Sequence, residues 1–228
     1  MKRRQQGGGQ LGFASAYFAL GLASLLLLPA CEESPPGTQG ELGQGSFTYE
    51  CLSPEDVGCF DAPYDGAKLP VGIAVGSKFD LNFHGDETAR IVSGSESLAE
   101  AVSDGFLARA PGTVAMLAEA TARDRVVDFV HLDLVDVADL ELSGEGTDGE
   151  DPLLVGNYWE WTASPKSDEG TALAGTLLCT WTSSDTSVVR FSQTQETQLN
   201  GVRGMAPGKA IVTVTVGAAS KAIEVTVE

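Results

Sequence analysis

Hydrophobic and polar positions alternate with a period of two over much of the second half of the chain. Lys209 to Val216 sets Ala210, Val212, Val214 and Val216 against Lys209, Thr213 and Thr215. Ala222 to Glu228 sets Ile223, Val225 and Val227 against Glu224, Thr226 and Glu228. Side chains alternate between the two faces of a strand, so this pattern predicts strands with one buried face. The short break at Gly217 to Ser220 predicts a hairpin between these two strands. Tyr158 to Thr162 alternates in the same way, placing Trp159 and Trp161 on one face and Tyr158 on the other. Trp159 and Trp161 are expected in a core, with Tyr158 peripheral.

The alternation belongs to a longer repeat. Ala74-Val75-Gly76-Ser77-Lys78-Phe79-Asp80-Leu81 aligns with Leu154-Val155-Gly156-Asn157-Tyr158-Trp159-Glu160-Trp161 at an offset of 80. Ser97-Leu98 aligns with Ser187-Val188 at 90, and Ala110-Pro111-Gly112 with Ala206-Pro207-Gly208 at 96. The growing offset implies insertions in the second copy, expected over Ser164 to Ala174 and near Gln193 to Gln198. Such a period suits two tandem domains rather than a solenoid unit. Val114 to Arg125 is rich in Ala, Met, Leu, Glu and Arg, which favour helix in isolation. Its alignment with the hairpin of the second copy predicts strand there instead.

The first thirty residues follow a different logic. Lys2, Arg3 and Arg4 precede an apolar run from Leu11 to Leu28, and Pro29-Ala30-Cys31 follows. This is the layout of a secretory signal, although about twenty apolar residues are also long enough to span a bilayer. Leu28-Pro29-Ala30-Cys31 resembles the lipobox of bacterial lipoproteins. That resemblance implies cleavage before Cys31, lipid on Cys31 and a place in the cell envelope, on the outer membrane, with leaflet and side open. Glu32 to Gly45 has almost nothing to bury and is expected to be a flexible tether, giving a lipidated linker over 31–46.

The formal charge of −18 becomes −21 once Lys2, Arg3 and Arg4 are removed. A chain so acidic repels nucleic acid and anionic lipid surfaces. Four cysteines remain to be placed. After Cys31, an exported chain favours a disulfide between Cys51 and Cys59, which flank the turn formers Ser53, Pro54, Asp56 and Gly58. Cys179 shares a strand face with Trp181 and is expected to be a buried, unpaired core residue.

Thr180-Trp181-Thr182-Ser183-Ser184-Asp185 resembles a stretch of the bacterial Ig-like domains of group 2. Gly204-Met205-Ala206-Pro207-Gly208-Lys209-Ala210, leading into Ile211-Val212-Thr213-Val214, and the closing Ile223-Glu224-Val225-Thr226-Val227 resemble later motifs of the same family. The resemblance covers residues 137–228. It implies a β-sandwich with Trp181 as a core plug on a central strand, and it carries no catalytic residue. Ile91 stands at the place of Trp181 in the first copy, and Ser93-Gly94-Ser95 at that of Ser183-Ser184-Asp185. Residues 47–136 are therefore expected to form a diverged Ig-like domain, with the cysteine segment as an extra edge or lid.

The expected fold class is all-β: two tandem Ig-like β-sandwiches after a signal peptide and a disordered tether. No Gly-x-Ser-x-Gly, Walker loop, His-Glu-x-x-His or Rossmann glycine pattern occurs. His84 and His131 are expected to be structural, and neither a catalytic residue, a metal nor a cofactor is assigned. The acidic loop Glu145 to Asp151 offers hard oxygen ligands for calcium without the spacing of an EF-hand. A non-enzymatic binding or adhesion module for a protein or glycan is the leading expectation. The alternative is a spacer or accessory subunit of an envelope assembly. Oligomeric state stays open.

Overall fold

The computed structural model describes residues 37–59, 68–123, 125–149, 151–192 and 197–228. Cys31 and the signal segment lie outside the described residues. Nine strands form the first part: β1 (Thr38–Gln39), β2 (Gly45–Glu50), β3 (Ile73–Ala74), β4 (Lys78–Gly85), β5 (Ala89–Ser93), β6 (Ala99–Val102), β7 (Gly105–Ala108), β8 (Gly112–Ala120) and β9 (Val126–Val135). Seven more follow: β10 (Asp139–Gly144), β11 (Tyr158–Lys166), β12 (Thr180–Ser183), β13 (Val189–Phe191), β14 (Leu199–Gly204), β15 (Gly208–Val216) and β16 (Ala219–Val227).

The first nine strands make two sheets, β1-β2-β4-β7-β6 and β3-β9-β8-β5. Between them lies one core, with Phe47, Phe79 and Phe106 from the first sheet against Ile73, Val114, Met116 and Leu132 from the second. The last seven strands repeat the plan in sheets β10-β11-β14-β13 and β12-β15-β16. Here Trp159, Trp161 and Val202 meet Val212, Val225 and Val227. The fold is all-β, as two sandwiches in tandem. β8 is a strand despite its helix-favouring residues: Val114, Met116, Ala118 and Ala120 are buried in alternation, and β8 pairs with both β9 and β5. Tertiary burial of one pleated face outweighs a propensity difference of a few tenths of a kcal/mol per residue.

The repeat holds bond by bond. Val75 N–H donates to Val135 O at 2.9 Å, and Val155 N–H to Glu228 O at 2.8 Å. Gly76 N–H donates to Ala108 O at 2.8 Å, and Gly156 N–H to Gly204 O at 2.9 Å. Both glycines have φ of 89°, a left-handed turn that L side chains rarely adopt. Gly94 N–H to Ala115 O and Ser184 N–H to Ile211 O form a third equivalent pair, at 2.8 and 2.9 Å.

Two expectations change. Residues 37–45 are not a loose tether. β1 pairs with β2, and the loop between them closes around Asp128, which is fully buried. The Asp128 carboxylate accepts from Leu42 N–H at 2.8 Å, Gln44 N–H at 2.7 Å and Gly45 N–H at 3.1 Å. A polar segment with nothing apolar to bury is thus ordered through its backbone donors. The inserted stretch of the second copy also moves: β11 continues to Lys166, and the additional residues occupy 167–178.

Candidate functional site

The disulfide joins Cys51 to Cys59, with Cα atoms 5.9 Å apart. Its loop carries Asp56, which is completely buried. Asp56 Oδ2 accepts from Tyr49 OH at 2.5 Å, and Oδ1 accepts from Gly58 N–H and Gly175 N–H, each at 2.9 Å. Gly175 belongs to the stretch inserted in the second sandwich, so Asp56 ties the two sandwiches together. Burial, and next the charge of Asp56, push the Tyr49 phenol well above its ordinary value of 10.0. Residues 51–59 of the cysteine segment thus take part in the join, while 60–67 lie outside the described residues.

The inserted stretch completes that join through two isolated β-bridges, parallel at Ala174 and antiparallel at Thr176. Ala174 N–H donates to Gly72 O, and Ala74 N–H to Ala174 O, each at 2.9 Å. Lys78 and Thr176 exchange both backbone bonds, at 2.9 and 2.8 Å. Ala74 and Ser77 are fully buried beneath it. Gly175 has φ of 112°, and a Cβ there would collide with Ser77 Oγ.

The core residues read from sequence divide. Cys179 is buried and unpaired, and burial pushes its thiol up to about 12. Trp181 is a correction. It sits on β12, which among the described residues is an edge strand bonded only to β15, and is half-buried against both core clusters of the second sandwich. Its indole N–H donates to Thr197 O at 2.8 Å. The plug is Trp161 on β11, between β10 and β14, with 0% exposure and its indole N–H donating to Glu145 O at 2.7 Å. Position in the strand order, which a local motif does not contain, separates the two. The predicted turn after Trp181 is present: Asp185 Oδ1 accepts from Ser187 N–H at 2.8 Å and Ser187 Oγ at 2.6 Å. These bonds hold the Asp185 carboxyl below the usual carboxylate range.

Neither histidine joins a cluster. His84 shares a hydrogen bond with Thr48 Oγ1 at 3.0 Å, and exposed His131 meets Glu41 at 2.5 Å. In the acidic loop, Thr147 Oγ1 donates to Gly144 O and Gly149 N–H to Gly146 O, folding it as a turn; Glu150 lies outside the described residues. Among the described residues no group of three or more His, Cys, Asp or Glu side chains is placed to hold a metal.

Two surfaces of the second sandwich could receive a macromolecule. One is a groove of about 610 Å³ between the open edges of β10 and β16. Ion pairs of Lys166 with Glu141 at 2.7 Å and Lys221 with Asp139 at 3.7 Å guard it. Charged side chains on edge strands oppose pairing with another chain. The other is the end of the sandwich remote from the first, where β11 begins and β16 finishes. Leu154 is 54% exposed there, Val155 47%, Tyr158 62% and Met205 37%. The Leu154–Asn157 turn and the Gly204 backbone are bonded to one another, which gathers Leu154, Val155 and Met205 on one pole. Leu154 and Val155 align with Ala74 and Val75 in sequence, yet among the described residues the turn at Gly76 is covered and the turn at Gly156 is not.

No protein-family model and no curated protein matches the chain. Solved structures similar to it include domains 4 and 5 of the S-layer protein SbsC, at 16% identity and a TM-score of 0.33, covering 69% of this chain and 93% of that one. The Yersinia pseudotuberculosis adhesin InvE aligns at 11% identity and a TM-score of 0.35, covering 70% of this chain and 57% of that one. The Escherichia coli adhesin FdeC aligns at 15% identity and a TM-score of 0.33, covering 69% of this chain and 60% of that one. The chain thus spans less than two thirds of either adhesin structure.

Proposed function

We propose that this is a lipid-anchored envelope protein, held through Cys31, whose Ig-like sandwiches act as a non-enzymatic binding or adhesion module. The observation that carries the binding role is the bare apolar pole formed by Leu154, Val155 and Met205, with Tyr158 beside it. Exposed apolar groups gathered in one place mark an interaction surface more often than scattered ones do. The accompanying aromatic residue is of a type enriched at binding hot spots. The anchoring rests on Leu28-Pro29-Ala30-Cys31, and the Ig-like group 2 assignment on the motifs around Trp181 and Pro207.

A second reading, a spacer or accessory subunit within an envelope assembly, is favoured by the join itself. Asp56 and the Ala174 and Thr176 backbone bonds fix one sandwich to the other. Photo-crosslinking from Val155 in cells separates the readings. A protein adduct from Val155, absent from a probe at exposed Arg90 of the first sandwich, supports the binding role. Equal labelling from both sites, or none, supports the spacer. Protease treatment of intact and permeabilised cells then assigns the side of the membrane.

A further inference from the structure

The binding surface proposed above has an equivalent inside the same molecule, and that equivalent is occupied. Residues 72–78 of the first sandwich and 152–158 of the second share the left-handed glycine, the bond to the end of the last strand and the bond to the neighbouring strand. Over 72–78 lies an extended segment of the chain, 173–177. It bonds through its backbone to Gly72 O, Ala74 N–H and both groups of Lys78. Ala174 is buried in the core of the first sandwich, while Leu173 and Leu177 lie against Gly72 and Gly76 and share a core cluster with Ala74, Leu140, Val214 and Val216.

Over 152–158 no described segment lies. Tyr158, the equivalent of Lys78, pairs with Arg203 on one side, and β10 on the other side reaches only as far as Trp161. Asn157 C=O accepts from Gly204 N–H at 3.1 Å, so the N–H and C=O of Tyr158 point away from β14 by the alternation of an antiparallel ladder. Among the described residues, the backbone edge that Thr176 completes in the first sandwich is thus open in the second. Leu154 and Val155 flank it, exposed.

We propose that residues 152–158 form a strand-addition site for an extended segment of a partner protein. The segment would carry small and aliphatic side chains, as Leu173-Ala174-Gly175-Thr176-Leu177 does. Backbone hydrogen bonds to Leu154 and Tyr158 would supply register, and Leu154, Val155 and Met205 the apolar contact. Small residues are required because the covering strand crosses directly over the turn. In the first sandwich, even a Cβ at Gly175 has no room beside Ser77. The groove between β10 and β16 is a poorer strand acceptor, because the Lys221–Asp139 ion pair crosses it. The proposal rests on the binding reading but adds the mode of recognition and the chemistry of the partner.

The probe is a peptide of the chain's own residues 171–178, with solubilising ends, titrated into the full chain and followed by amide NMR and hydrogen exchange. The expected result is saturable binding, with Leu154 and Tyr158 amides protected. Leu154→Asp, at an exposed position, should weaken the peptide at least ten-fold while leaving the fold intact. A peptide N-methylated at the residues matching Ala174 and Thr176 keeps its side chains but loses both donors, and it should also bind at least ten-fold more weakly. Equal binding of the N-methylated peptide, or protection elsewhere, overturns strand addition. No binding at all also overturns it, while an adduct from Val155 in cells would leave the broader binding role standing. Self-association of the full chain abolished by Leu154→Asp, without peptide binding, would assign the face to a second copy and overturn the proposal.

Discussion

Replacing Asp56 with alanine tests how the two sandwiches are joined. The carboxylate is fully buried and accepts three hydrogen bonds, from Tyr49, Gly58 and Gly175. Asp56→Ala leaves the Tyr49 hydroxyl buried without its acceptor and the Gly175 amide without its carboxylate, while half-buried Gly58 can turn to water. Each orphaned buried donor costs about 1–3 kcal/mol. Relief from desolvating a carboxylate that has no ion-pair partner among the described residues offsets part of that sum. The net loss is therefore about 3 kcal/mol, or roughly 6–12 °C in Tm for a chain of this size. All three tryptophans, Trp159, Trp161 and Trp181, lie in the second sandwich, so their fluorescence reports that sandwich alone during urea unfolding. Exchange of the Gly175 amide reports the join directly. Asp56→Ala should lower the urea midpoint and speed Gly175 exchange. Asp56→Asn, which keeps an oxygen for Gly58 and Gly175, should recover about half of the loss, roughly 1.5 kcal/mol. A change below about 0.5 kcal/mol in Asp56→Ala, with Gly175 exchange unaltered, would refute the reasoning.

Other outcomes follow from single features. Asp128→Ala should release residues 40–45, seen as rapid exchange at Leu42 and Gln44 and new protease cleavage there, at a cost of about 2–4 kcal/mol. Reducing Cys51–Cys59 removes a short cross-link worth about 2.5 kcal/mol in loop entropy and should speed Gly175 exchange, because the loop presents Asp56. Alkali should destabilise the protein. Cys179 and Tyr49 both have folded-state values raised above their unfolded ones, so the folded chain holds more protons. Stability is full below pH 9, falls as Cys179 becomes ionised in the unfolded chain between 9.0 and about 12, and falls further above 10 through Tyr49. Each group contributes a slope of about 1.4 kcal/mol per pH unit. Cys179→Ala should remove the slope between pH 9 and 10, read from urea midpoints across that range.

Alternation alone placed β15, β16 and the start of β11, since burying one face of a pleated strand leaves a period-two trace in residue type. Repeat alignment placed β8 as strand against its local propensity, because equivalent positions in two copies meet equivalent partners. Cys51 and Cys59, eight residues apart across turn formers, were also legible as a pair. What stayed hidden lay in contacts made across long separations. Nothing around Asp56 or Asp128 in sequence distinguishes them from the solvated carboxylates of an acidic chain. Asp56 meets Gly175 across 119 residues, and Asp128 meets Leu42 across 86.

The same division runs through the tryptophans and the two glycine turns. Residue type and spacing determined that Trp159, Trp161 and Trp181 belong on strands, and that Gly76 and Gly156 turn the chain alike. Only the tertiary structure decided that Trp161 fills the core while Trp181 lies at an edge, because strand order is set by long-range pairing. It alone decided that the turn at Gly76 is covered and the turn at Gly156 bare. A local pattern specifies the strand and its buried face; its neighbours are chosen by which distant backbone and apolar surface remain to be satisfied.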